Sequence, residues 1–342
     1  MKEGIRWCPH CREPHALASR FCPNTGDAID GQLHETPAQP IGVQHPLTGT
    51  VLDRDYEIRR RIGTGGMNEV FEAKDRTTGR SVAIKIVKDK TPEGAARLVR
   101  ESEIVASIKH ENICAIHGVG TMPDGRPYLV LERLEGETLE TTLHGGRRLS
   151  SDSAIAVFKQ VLAGLACAHE RGIIHRDIKP SNIFLVDRGA QRPLVKVLDF
   201  GLAFDSIRRG ARMTRPGKAA GTPRYMAPEQ LLGGAVGPET DLFTVSLVLY
   251  ESLAGAHPFA ATTLKQIGYN ILHESEPDLG ERRKKLPFGL TAIVHAGLAK
   301  RMADRPRSAL AMLHSLERVD DIEEEPDSSD TYDSHGAPLV RF

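Results

Sequence analysis

Aromatic side chains are scarce, at 5% of the 342 residues, and Trp7 is the one tryptophan. A core must therefore come mainly from Leu, Ile, Val and Ala. Neither sign of charge is in excess, since 45 Lys and Arg meet 45 Asp and Glu. A generic polyanion binder carries a basic surplus, so no nucleic-acid partner is expected. Long apolar runs are missing too. The longest, Leu242 to Tyr250, contains Thr244 and Ser246 and is bounded by Asp241 and Glu251. A membrane span needs about 20 mostly apolar residues, and the first ten residues lack the apolar centre of a signal peptide. These absences predict a soluble, cytoplasmic chain with no membrane partner. The five cysteines are an odd count, poor for a disulfide framework. Cys8, Cys11 and Cys22 crowd at one end, which leaves Cys114 and Cys167 as free thiols.

Hydrophobic residues at 40% and charged residues at 26% are ordinary for a globular protein. At about 100–200 residues per domain, the length suits a two-lobed unit with small extras. Residues 1–30 are rich in Cys, His and Pro, and 31–53 read as a linker. From Tyr56 the pattern is strands: 56–62, 69–74 and 81–87, then near 114–119 and 127–132, with a helix over 92–108. Later segments are helical: 151–171, whose apolar residues repeat at helical spacing, then 239–255, 262–273, 289–301 and 307–318. Residues 319–342 carry eight carboxylates against Arg341, the composition of a disordered acidic tail.

Five motifs carry chemistry. Ile62-Gly63-Thr64-Gly65-Gly66-Met67-Asn68-Glu69-Val70 joins two predicted strands, and its glycines let backbone amides approach phosphates. Val82-Ala83-Ile84-Lys85 ends an apolar strand with a lysine. His175-Arg176-Asp177-Ile178-Lys179-Pro180-Ser181-Asn182, then Asp199-Phe200-Gly201, then Gly221-Thr222-Pro223-Arg224-Tyr225-Met226-Ala227-Pro228-Glu229 follow. Each alone is weak; their order and spacing together are specific.

Over 54–318 the chain resembles a bacterial eukaryotic-like Ser/Thr protein kinase catalytic domain. The resemblance implies an α+β, bilobal fold with a β-rich N-lobe and an α-rich C-lobe. It implies ATP and Mg²⁺, or Mn²⁺, as cofactors and protein Ser/Thr hydroxyls as acceptors. Gly63, Gly65 and Gly66 would cover the phosphates. Lys85 would contact the α- and β-phosphates and pair with Glu101, with Glu103 as the fallback. Asp177 would accept the substrate proton, Lys179 would steady the transferring phosphate, and Asn182 and Asp199 would hold the metal. Ile62, Val70, Ala83 and Phe184 would enclose adenine. Leu131 would be the gatekeeper, and Glu132-Arg133-Leu134 the hinge. Lys179-Pro180-Ser181 and Thr222 resemble the Ser/Thr rather than the Tyr branch. Glu229 would bridge to Arg305, and Asp241 would anchor the catalytic loop.

Two positions depart from the family. Asn68 replaces the third glycine of the loop; Asn tolerates left-handed backbone better than most residues, and altered ATP affinity is expected. Ser246 stands where the family has Gly, which raises a question of helix packing. The segment 201–221 is basic, with Arg208, Arg209, Arg212, Arg215 and Lys218. Autophosphorylation at Thr214, pairing with Arg176 and these arginines, is the expected switch. The acidic tail restraining this loop is a weaker expectation.

Cys8-Pro9-His10-Cys11 and Phe21-Cys22-Pro23-Asn24-Thr25-Gly26 resemble the two knuckles of a zinc ribbon, with Thr25 in place of the last Cys. Cys8, Cys11, His15 and Cys22 are the expected Zn²⁺ ligands, with His10 and His34 as other candidates for the fourth. The piece would be structural or would bind a partner. The rival readings are a pseudokinase scaffold, a small-molecule phosphotransferase and a zinc-dependent binding adaptor.

Overall fold

The computed structural model describes residues 5–7, 14–16, 45–65, 68–88, 91–189, 192–200 and 223–319. The expectations for Cys8, Cys11, Cys22, Gly66, Thr214, Thr222 and the acidic tail lie outside these residues, as does the side chain of His15. At the N-terminus, β1 (Ile5–Trp7) pairs antiparallel with β2 (Pro14–Ala16).

The N-lobe is a six-stranded antiparallel sheet in the order β3-β4-β5-β6-β8-β7. Its strands are β3 (Val51–Leu52), β4 (Tyr56–Thr64), β5 (Asn68–Asp75), β6 (Ser81–Val87), β7 (Ile116–Thr121) and β8 (Pro127–Glu132). Strand alternation sorts its residues into two faces. Phe71, Ile84 and Val130 lie opposite one another, as do Ile86 and Tyr128. With Leu52, Ile58, Ala73, Val82 and Met122 they form the upper core. One residue out of phase, Val70 faces Lys85, Lys85 faces Leu129, and Ala83 faces Leu131. That second face is the roof of the cleft.

Part of the predicted linker belongs to this lobe. Residues 45–52 run as a strap beside β4, where the Gly49 amide donates to the Ile58 carbonyl (2.8 Å) and the Ile58 amide to that of Thr50 (2.9 Å). Leu52 is buried in the upper core, Leu47 packs against it, and the His45 ring meets that of Phe71 edge-on at 4.9 Å. The helix α1 (Pro92–Ala106) starts at the cap Thr91 with Pro92 in its first turn and packs on β7 and β8.

The C-lobe follows from β9 (Gly136–Thr138) and α2 (Leu139–Leu143) through α3 (Ser151–His169), β10 (Ile183–Val186) and β11 (Leu194–Val197). After the cleft come α4 (Pro228–Leu231), α5 (Pro238–Ala254), α6 (Leu264–His273), α7 (Leu279–Arg282), α8 (Phe288–Gly297) and α9 (Ala309–Glu317). Helix α5 is apolar on nearly every side and almost wholly buried, the mark of a central core helix. It ends at Gly255, whose φ of 73° is the left-handed backbone that glycine supplies at helix ends. Helix α3 is long and apolar enough to cross a bilayer, but its Val157, Phe158, Val161, Leu162 and Leu165 are core residues of this lobe.

Candidate active site

The loop 175–182 is held by one carboxylate. Asp241, fully buried in the first turn of α5, accepts from the amides of His175 (2.8 Å) and Arg176 (2.7 Å) and from His169 Nε2 (2.7 Å). Since a carboxylate can only accept, the His169 proton resides on Nε2. The anchor expected of Asp241 is thus present, and His169 is a member that sequence reasoning missed. Arg176 has φ of 70°, a left-handed conformation that non-glycine residues hold only when neighbours impose it.

The next residues converge. Lys179 Nζ lies 2.8 Å from Asp177 Oδ2. Asn182 Nδ2 donates to the Asp177 carbonyl (2.8 Å) and to Oδ2 (3.1 Å). Asp177 is thereby aimed by two neighbours, and the side-chain amide oxygen of Asn182, Oδ1, is a hard donor for a metal ion. The His175 ring contacts the carbonyl of Leu198 (2.7 Å) and packs on buried Phe200 at 4.6 Å. This seats Asp199, itself left-handed at φ 62°, beside the loop.

Lys85 and Asp199 meet across the cleft at 2.5 Å. Burial pushes the Asp199 carboxyl up, but the charge and hydrogen bond of Lys85, with His175 and Lys179 behind, hold it below the usual carboxylate range. Asp199 and Asn182 offer hard oxygen donors, the ligand type Mg²⁺ selects, so these residues fit that ion. Glu101 lies on α1, half-buried.

Above, Val70, Ala83 and Leu131 lie on the cleft face of the sheet, and Ile62 and Gly63 sit near the end of β4, Gly63 opposite Val70. Phe184 comes from β10, opposite Lys196. Asn68 opens strand β5 in extended backbone. Its carbonyl accepts from the Gly65 amide (2.9 Å), and a Cβ on Gly65 would stand 3.1 Å from Asn68 Oδ1. Lys88 Nζ caps the Gly65 carbonyl at 2.9 Å.

The hinge carries a group that no motif announced. Buried Lys196 reaches Glu132 Oε1 at 2.7 Å, and that oxygen also accepts from the Ala115 amide at 2.7 Å. Cys114 lies nearby as a free thiol, pushed well above its ordinary range by burial and then by Glu132 and Asp199. Cys167 is free as well. On the far side, Arg305 grips Glu229 with two bonds of 2.8 and 2.9 Å and also donates to the carbonyls of Ala299, Glu239 and Lys300. Tyr225 and Arg224 share Glu251 at 2.7 Å each. Among the described residues, no group of three or more His, Cys, Asp or Glu side chains could hold a metal.

Residues 56–316 match the protein kinase domain family. The chain belongs to the protein kinase family. The serine/threonine-protein kinase pkn3 of Myxococcus xanthus is 32% identical over 86% of the chain and 56% of its own length. Pkn1 of the same organism is 35% identical over 91% of the chain and 45% of its own length. The chain thus spans about half the length of these relatives. Among solved structures, Rad53 1-466 in complex with AMP-PNP superposes with a TM-score of 0.63 at 26% identity, over 76% of this kinase and 64% of that chain.

Proposed function

We propose that the chain is an ATP-dependent protein serine/threonine kinase that transfers the γ-phosphate to protein hydroxyls, its own Thr214 among them. The observation that supports this most is the meeting of Asp177, Lys179, Asn182, Lys85 and Asp199 within one cleft. Phosphoryl transfer needs little covalent help; it needs alignment and neutralisation of charge. Asp177 takes the hydroxyl proton and aims the oxygen in line with the phosphorus. Lys179, within reach of that carboxylate, stabilises the transferring group. Lys85 holds the α- and β-phosphates, paired with Glu101. Asn182 and Asp199 hold Mg²⁺, or Mn²⁺, which supplies positive charge to the phosphate oxygens when bound. Gly63, Gly65 and Gly66 cover the phosphates. Ile62, Val70, Ala83, Leu131 and Phe184 enclose the adenine, and the backbone of Glu132–Leu134 pairs with its edge.

The N-terminal segment, with Cys8, Cys11, His15 and Cys22, is read as a Zn²⁺-holding piece that meets a protein partner, and the kinase as cytoplasmic. Zinc stoichiometry of the wild type against Cys11→Ser tests the first of these. The test of the main reading is intact mass before and after Mg-ATP, beside Asp199→Asn. Mass steps of phosphate in the wild type alone are expected. Nucleotide binding without any mass step overturns the reading in favour of a scaffold.

A further inference from the structure

The residue before the catalytic Asp177 is gripped from two sides, by Asp241 on α5 and by Gln230 on α4. Asp241 holds the amide of Arg176. The carbonyl of the same residue accepts from Gln230 Nε2 at 2.8 Å. Gln230 lies on the short helix α4, and its Oε1 accepts from the Ala227 amide at 2.9 Å. Both ends of the side chain are specified: a carbonyl demands the NH₂, and an amide demands the oxygen. The orientation of the Gln230 amide is therefore set by its partners.

The two bonds join different parts of the molecule. Ala227 is fully buried and follows the turn Pro223–Tyr225, whereas Arg176 lies in the catalytic loop. Arg176 sits in left-handed backbone at φ 70°, a conformation that lasts only if its surroundings over-determine it. With its amide fixed by Asp241 and its carbonyl by Gln230, the peptide leading into Asp177 has little freedom to rotate. Had Gln230 served only to cap α4, its Oε1 would suffice, since that atom alone meets the cap amide.

Resting on the kinase reading above, we propose that Gln230 is a positioning residue for phosphoryl transfer. It ties the segment 223–227 to the Arg176 carbonyl, so that ordering of that segment and the aim of Asp177 are set together. Gln230 touches no reacting atom. Its effect reaches the chemistry through the peptide plane between Arg176 and Asp177, where small misalignments are costly in rate.

Two substitutions separate this role from capping. Gln230→Glu keeps an acceptor for the Ala227 amide but cannot donate to the Arg176 carbonyl. Gln230→Met removes both bonds at similar size. Steady-state kinetics on a protein substrate and amide hydrogen exchange over 174–182 are measured for both, in the full chain. The expected result is a fall in kcat of about tenfold in both variants with KM for ATP unchanged. Exchange over 174–182 should quicken in both. If Gln230→Glu matches the wild type in kcat and in exchange while Gln230→Met does not, the residue is only a cap and the proposal fails. Equal loss of kcat without faster exchange also overturns it. A wild type that transfers no phosphate refutes the kinase reading instead, and the exchange comparison still decides whether the link to Arg176 holds the loop.

Discussion

Single residues in this molecule are set by how buried charge is answered. Glu229 shows one case. Burial pushes its carboxyl up, but the hydrogen bonds from Arg305 and then Thr240, with the charge of Arg305, hold it below the usual range. A carboxylate whose folded pKa is depressed contributes stability that is present above its unfolded pKa, about 4.3, and lost as pH falls through the folded value. Urea midpoints of the wild type should therefore drop as the pH falls below that value, and Glu229→Gln should flatten the drop. Arg305→Met should cost about 3–5 kcal/mol at neutral pH, since it leaves the carboxylate without its partner. Lys300 shows the opposite case. Its ammonium has no hydrogen-bond partner among the described residues and stands 3.9 Å from the centre of the Phe259 ring. Burial and then Arg305 lower its pKa to about 8, with Glu276 and Glu274 acting against them. The unfolded chain then binds the proton more tightly, so this residue weakens the fold below about pH 8, and stability returns as pH rises toward 10.5. Lys300→Met should raise the urea midpoint at pH 7 and give no gain at pH 11.

Between elements, what decides is whether side chains fit. Ser246 is fully buried on α5, and its hydroxyl finds no partner among the described residues. It stands against Gly297 of α8, where an added Cβ would come within 1.9 Å of Ser246 Oγ and 2.8 Å of its Cβ. Gly297 thus leaves the room that the Ser246 side chain fills. Gly297→Ala should destabilise by about 1–3 kcal/mol through overpacking. Ser246→Gly should restore most of that loss in the double variant, a coupling that thermal melts of the four proteins measure directly. The question was legible in the sequence, because Ser246 broke a pattern; its answer was not, because helix spacing does not tell which residue of α8 meets α5. The same division holds elsewhere. The resemblance implied Val70, Ala83 and Lys85 about the nucleotide with Asp177 and Asp199 beside them, and the structure sets Val70 and Ala83 on the face of Lys85 and brings Asp199 to Lys85. Lys196, His169 and Gln230 went unread, since each acts through a partner far away in the chain and belongs to no local signature.

At the scale of the whole molecule, two cores of unequal size face each other across the cleft. The larger gathers α3, α5, α8 and α9 with the C-terminal end of α1, while the smaller is one face of the six-stranded sheet. The strap 45–52 closes that smaller core, which sequence composition concealed because a two-residue strand beside His, Pro, Thr and Gly looks like linker. Leu52 is 3% exposed there. Truncating such a buried leucine costs about 2–5 kcal/mol. A loss of that size falls on the lobe with less apolar surface to spare, and the larger core shares none of it. Leu52→Ala should therefore split the urea unfolding curve, with a first step that reports the sheet and a second that keeps the wild-type midpoint, a departure from two-state behaviour. Nucleotide affinity should fall with the first step, since Lys85 and the roof of the cleft ride on the strands that Leu52 supports, while the contacts of Asp177 with Lys179 and Asn182 stay in the intact lobe. A single shifted transition with unchanged m-value would mean instead that the two cores unfold as one, and that the cleft between them transmits stability rather than interrupting it.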